Sequence, residues 1–452
     1  MKKLTIITSL IFFVLTGLGQ EENKNTDTTA YKSRVLESTE IDILTSYYSQ
    51  EGDNAAVGGG MGTEELTDFT PTIVVSVPLN DDDVLTLDAG ISSYTSASSS
   101  NINPFDGDQE ADPFQASSGA SRADLYTNVS GSFSHSSDDR NKIWSAKLSF
   151  SNEFDYRSLG FGGSLTRLFN EKNTEINISG NVYLDKWKLL YPVELRHLAG
   201  QDEEQEPGED EEDDEDEGVP WELMTGNLNY NPSFTPFKDD SRNSYSVGMV
   251  FSQILSKRLQ GSLSLDLVVQ DGLLSTPYHR IYFADVANSF IENFQLADDV
   301  ERLPDTRLKA ALGGRLNYFI NETLALRTYY RYYADDWGIS SHTASIEIPI
   351  KLSGKFTLYP SYRFYTQTAA DYFAPRELHV STEKYYTSDY DLSEFKANQY
   401  GFGISYTDIM TRAHLWKLNM KSIDLKFHKY DRDSSFSAWM GSFGIKFIIG
   451  DL

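Results

Sequence analysis

Between Leu326 and Tyr333 the chain alternates with a period of two. Leu326, Thr328, Tyr330 and Tyr332 occupy one set of positions; Arg327, Tyr329, Arg331 and Tyr333 occupy the other. After "ADDWG" the pattern resumes, with Ala344, Ile346, Ile348 and Ile350 set against Ser345, Glu347 and Lys351. Only a strand sends successive side chains to opposite faces, so this repeat predicts β-structure with one apolar and one wet face.

Sixteen segments of this kind are found along the chain: 40–49, 70–79, 84–95, 123–135, 142–155, 157–169, 175–187, 243–256, 258–270, 306–319, 322–334, 341–352, 354–368, 397–409, 415–430 and 434–449. In the ninth, Leu259, Gly261, Leu263, Leu265, Leu267 and Val269 oppose Gln260, Ser262, Ser264 and Asp266. The segment 415–430 changes phase near Lys421, which predicts a bulge there.

The connections sort by parity. Short turns such as "NDDD", "NEKN", "SK", "NE" and "SG" join strands 2–3, 6–7, 8–9, 10–11 and 12–13, and every long loop (50–69, 96–122, 188–242, 271–305 and 369–396) falls on an alternate connection. Short turns at one end and long loops at the other are the layout of an outer-membrane barrel, with turns periplasmic and loops outside. An even strand count then leaves both termini in the periplasm. The expected fold is all-β: a transmembrane antiparallel up-and-down β-barrel of about 16 strands.

The start of the chain agrees with export. "MKKLTIITSLIFFVLTGLGQ" has two lysines, an apolar run and small residues at Gly17 and Gly19, the features of a secretory signal peptide over 1–19. Residues 20–39 then form a periplasmic N-terminal segment, and 40–452 the barrel. No later apolar window is long enough for a transmembrane helix. The chain has no cysteine, which excludes a lipidated N-terminus, disulfides and thiolate metal sites. With 27 Tyr, 26 Phe and a mean hydropathy of −0.43, it is aromatic yet polar overall, as an outer-membrane barrel is. Lipid, lipopolysaccharide and the barrel assembly machinery are the implied partners.

Charge is concentrated in one place. Thirteen of the sixteen residues Asp202–Glu217 are acidic, within a net charge of −28. Such a run, in the acidic loop 201–218, repels itself and reads as a solvated tract, with weak divalent-cation binding as the alternative. "DGDQEAD" (Asp106–Asp112) spaces acids like a calcium loop but lacks its glycine, and Ser117 stands where the final glutamate belongs. The acidity argues against nucleic acid. Catalytic motifs are lacking: the seven histidines show no paired spacing, and "GFGGS" (Gly160–Ser164) lies within a strand. His342 and Asp336 flank the "WG" turn and are the pair a barrel hydrolase would use; as a plain hairpin tip, the same turn would place Trp337 in the interfacial aromatic belt. No cofactor is implied by any motif.

One charged set departs from the overall acidity. On strands 10 to 13 the wet face carries Arg307, Lys309, Arg315, Arg327, Arg331 and Arg363, besides the turn-flanking Lys351 and Lys355, with Glu347 the single acid. Either acids from loops or the opposite wall (Asp185, Asp266) fold in to neutralise these six, or they form a basic lumen wall that favours anions.

Three blocks are more particular: "YYSQEGDNAAVGGGMGTEELTDFTPTIVVSVPLNDDD" (Tyr47–Asp83), "SSYTSASSSNINP" (Ser92–Pro104) and "YRYYADDWGISSHTASIEIPI" (Tyr330–Ile350). Through them nearly the whole chain resembles a domain-of-unknown-function family of exported Gram-negative proteins. The resemblance implies an outer-membrane barrel and, from the genes said to neighbour its members, a link to periplasmic flavin-transfer and thioredoxin-like proteins. It implies no catalytic residues. The glycines of the first block predict a loop packed tightly against barrel wall or plug. The chain's end, "IIGDL", departs from the aromatic finish common in such barrels. Three function classes stand: a channel or partner-sheathing barrel, a barrel enzyme, and a surface structural or adhesion barrel. The protein is expected in the outer-membrane fraction, with different gel mobility before and after boiling. A soluble periplasmic product with one mobility would contradict the barrel.

Overall fold

In the computed structural model, residues 34–96, 123–201, 219–408, 410, 413–415 and 417–449 are described. The signal-peptide segment, the acids of 106–112, the run Asp202–Glu217 and the terminal Gly450–Leu452 lie outside them.

The sheet is a closed antiparallel barrel of sixteen strands. In chain order these are β1 (Glu40–Gly52), β2 (Leu66–Pro78), β3 (Asp83–Ser96), β4 (Ala123–Ser136), β5 (Lys142–Asn152), β6 (Tyr156–Phe169), β7 (Thr174–Trp187) and β8 (Ser241–Ser256). They continue with β9 (Leu259–Gly272), β10 (Thr306–Phe319), β11 (Ala325–Asp335), β12 (Ser340–Glu347, resuming at Ile350–Lys351), β13 (Phe356–Gln367), β14 (Phe395–Thr407), β15 (Leu418–Arg432) and β16 (Phe436–Ile449). Each pairs with its sequence neighbours. β1 is hydrogen-bonded to β2 on one side and to β16 on the other, so the sheet has no free edge.

All sixteen predicted segments are strands, and the turns and loops fall at opposite ends as expected. The phase change is also real: the β15–β16 register shifts between Met420 and Ser422, leaving Lys421 as the extra residue. β12 is broken where one strand was expected. Pro349 has no N–H to give β11, and Pro360 of β13 has none to return to Ile348. Regular pairing therefore lapses until Ile350, although the Ile348 N–H still reaches the Pro360 carbonyl at 3.0 Å.

Alternation sets the two faces. Leu308, Leu312 and Leu316 on β10, Tyr330 and Tyr332 on β11, and Tyr400 and Phe402 on β14 are large, apolar and exposed on the outside. The same holds for Phe69 and Ile73 on β2, Leu87 and Ile91 on β3, and Leu148 and Phe150 on β5. A girdle of exposed leucine and aromatic side chains around the whole barrel is what hydrocarbon, rather than water, would cover. No described helix is long and apolar enough to cross a membrane.

The long loops build a second hydrophobic core at one mouth. Tyr191, Leu195, Phe234, Tyr282, Ala297 and Val300 form its centre, flanked by the clusters Ala55–Val57–Tyr278, Ile291–Phe294–Leu296 and Ile281–Phe283–Tyr386. A seven-residue helix, α1 (Val193–Ala199), and two small sheets lie among these loops. The loops turn inward. Gln50, Gln367 and Arg432, at the upper ends of β1, β13 and β15, bond Glu64, Asp391 and Ser393 of the loops.

If the outer girdle meets lipid, Leu312→Arg costs about 2–4 kcal/mol of folding free energy into vesicles, whereas Thr86→Arg on the inner face costs far less. Urea titrations of the two variants give the comparison, and equal losses would contradict the assignment of faces.

Candidate functional site

The six basic residues lie on β10, β11 and β13 at odd positions, opposite in parity to the exposed apolar girdle. Strand register joins several of them. Arg315 stands opposite Tyr329, Tyr329 opposite Ser345, and Ser345 opposite Arg363, which makes one row across four strands. Arg331 follows one row nearer the loops, between Gly313 and Thr343.

Two of the six are neutralised, and by acids of their own wall. Arg307 is held by Asp335, at 3.0 Å through Nε, and its guanidinium lies 4.2 Å from the centre of the Trp337 ring. Arg327 donates to Glu347 at 2.8 Å, directly across the β11–β12 ladder. Lys309, Arg315, Arg331 and Arg363 make no ion pair with a described carboxylate; Arg315 instead lies 5.0 Å above the Tyr329 ring. Asp185, a candidate neutraliser, faces its cross-strand neighbour Arg242 at 3.5 Å. Arg315 and Arg363 are exposed, and the Arg327 side chain keeps 53% of its surface accessible, so the interior has room for water at their level.

The wall opposite carries acids, with Lys147 on β5 an inward base beside them. By strand parity, Asp68 on β2 and Asp88 on β3 face inward, seven and eight strands around from β11. Asp68 is held by the hydroxyls of Ser92 and Thr70. Basic residues beyond β13 also point in: Lys426, Arg432 and Lys446. Arg432 is taken by Asp391, and Lys446 by Glu40 and Asp42.

A family model described as "Protein of unknown function (DUF3570)" matches residues 5–443, a span that includes all three blocks quoted above. The chain belongs to the DUF3570 family.

No curated protein matches the sequence of this DUF3570 chain. Among solved structures it is similar to a bacterial polysaccharide outer membrane secretin, at 11% identity over 91% of this chain and 99% of that one, with a TM-score of 0.42. It is similar also to a BenF-like porin from Pseudomonas fluorescens (8% identity, 91% and 98% covered, TM-score 0.39). A Pseudomonas aeruginosa FadL homologue gives 10% identity, 92% and 90% covered, and a TM-score of 0.37.

The hydrolase pair is not assembled. His342 lies exposed on the outer face, its Nδ1 2.7 Å from the Tyr330 hydroxyl, while Asp336 accepts the Leu308 N–H at 2.8 Å. Trp337 is not in an aromatic belt either. It is 3% exposed, its indole N–H donates to the Thr306 carbonyl at 3.0 Å, and it covers Arg307. A cation on the inner face offers the ring a partner that lipid does not, and that draws it inward.

The glycine-rich loop does pack tightly, against the other loops. Gly59 and Gly60 have φ of +70° and +85°, and a side chain at Gly59 would strike the Tyr282 ring. Two arginines fasten this segment. Arg280 donates to both Glu194 oxygens (2.7 and 3.1 Å) and to the Val57 carbonyl (3.3 Å), thereby joining three loops. Arg376 stacks 3.6 Å from the Tyr282 ring centre, bonds the Gly58 carbonyl and reaches Gln295 at 2.8 Å, adding a fourth. No spacing in the sequence announces these contacts.

Glu194 is fully buried and Arg280 is 5% exposed, so removing either partner strands a charge. Glu194→Ala is expected to loosen the cap by about 3–5 kcal/mol while the barrel stays closed. Amide exchange should rise across 188–201 and 273–305 but not in β10–β13. Unchanged exchange in those loops would show that the pair does not hold them.

Proposed function

We propose that this DUF3570 protein is an outer-membrane channel for small anionic solutes, entered through or beneath a cap of folded loops. The observation that carries this reading is the group of four inward basic residues without an acid partner among the described residues, three of them arginines and two of these exposed to the interior.

A buried guanidinium ordinarily acquires a carboxylate, and this chain has a large surplus of acids to supply one. Arg307 and Arg327 do acquire one from their own wall. Arg315, Arg331 and Arg363 have no partner among the described carboxylates, Arg315 lying only against the Tyr329 face, which is tolerable only in a wet bore. Facing them across the bore, Asp68 and Asp88 set up a transverse field that would orient a solute carrying both an anionic and a polar or cationic end. With the turns in the periplasm, both termini lie there, and the cap is the outer gate.

The wall makes the selectivity testable. Reconstituted protein is expected to pass chloride in preference to potassium despite its net acidity. Arg331→Glu combined with Arg363→Glu should abolish or invert that preference, read as a sign change in the reversal potential under a salt gradient. A silent bilayer, or a reversal potential indifferent to both substitutions, would contradict the channel.

A further inference from the structure

Deep in the cap, three potential metal ligands converge. One ligand atom each from His279, Glu301 and Asp389 lies within 4.8 Å of the other two. The arrangement follows from local structure. Arg280–Ile281 pairs antiparallel with Asp299–Val300, and the residues bracketing this pairing, His279 and Glu301, are joined by a Glu301 N–H to His279 carbonyl bond of 2.9 Å. The third member comes from another loop, where Asp389 caps a turn of 3-10 helix and accepts the Asp391 N–H at 2.9 Å.

The histidine is the informative residue. It is 8% exposed, and its Nδ1 is buried with no hydrogen-bond partner, 3.6 Å from Glu301 Oε2. A buried ring nitrogen left unsatisfied costs about 1–3 kcal/mol unless something occupies the space it faces. Glu301 is oriented by the Thr276 N–H at 2.7 Å and by the Thr387 hydroxyl. Donors that fix a carboxylate while leaving its remaining lone pairs pointing at a nitrogen are the usual surroundings of a metal ligand. One buried and one half-buried carboxylate with a neutral imidazole would balance one doubly charged cation.

We propose that His279, Glu301 and Asp389 bind a single divalent transition cation of the zinc or manganese class, which clips the β9–β10 loop to the β13–β14 loop. One nitrogen and two carboxylate oxygens suit such borderline ions better than calcium or magnesium, which favour all-oxygen sites. Ligand distances of about 2.0–2.2 Å require donor atoms roughly 3.0–3.5 Å apart. The His279–Glu301 separation is already close to that, and the Asp389 ligand atom lies within 4.8 Å of both.

The test uses the full-length, untagged protein folded in detergent, stripped with chelator and titrated with zinc or manganese. One ion per chain is expected, together with slower proteolysis of the cap. His279→Asn and Glu301→Gln should each weaken binding at least tenfold while the boiled and unboiled gel mobilities stay distinct. Asp389→Asn serves if either fails to fold. Stripped protein that takes up neither ion at micromolar concentrations would overturn the site. So would binding that survives all three substitutions, which would assign it to the acidic run instead. Because stoichiometry is read without a bilayer, this result stands apart from whether the barrel conducts.

Discussion

The hydrogen bonds between β1 and β16 are the constraint on which everything else rests. An open sheet of this size would present two rows of unpaired backbone groups, each costing several kcal/mol in hydrocarbon. Closing the ring satisfies them along thirteen residues of β1, from Glu40 against Ile448 to Gly52 against Phe436. Once the ring is closed, side-chain parity becomes global. Every strand must send its apolar positions out and its polar positions in, and a slip of one residue anywhere would exchange the two faces. The bulge at Lys421 is the permitted exception, since it restores the register of β15 with its neighbours.

Closure explains the basic wall as well. The odd positions of β10–β13 have nowhere to point but inward, so the residue types placed there determine what the bore contains. Arg327 and Glu347 meet because their strands are in register, not because a loop folds down to neutralise them. The remaining arginines sit opposite tyrosine, serine, threonine, glutamine and glycine, groups that neither repel nor discharge them.

How much could be read from the residues depends on whether the information is local. Strands were legible because a period of two survives in any window, and loop parity was legible because the turns "NDDD", "NEKN" and "SG" are short. Pro349 could have been anticipated to break β12, because proline cannot donate to the ladder. The cap could not. Arg280 and Glu194 stand 86 residues apart, as do Thr387 and Glu301, and such contacts leave no periodic trace. Trp337 was misplaced for the same reason: its partner, Arg307, belongs to the preceding hairpin strand, and only β10–β11 register brings them together. The three residues of the cap cluster show no ligand spacing, since two are aligned by a two-residue sheet and the third by a separate loop.

The claim beneath all of this is that one face of each strand meets lipid and the other meets water. Because the native chain has no cysteine, single cysteines can report each position directly. Cysteines introduced one at a time from Arg327 through Tyr333, in protein reconstituted into vesicles, should react with a charged, membrane-impermeant thiol reagent at odd positions and not at even ones. Accessibility to a lipid-dissolved quencher should show the opposite phase. A flat profile, or the reverse phase, would contradict the account.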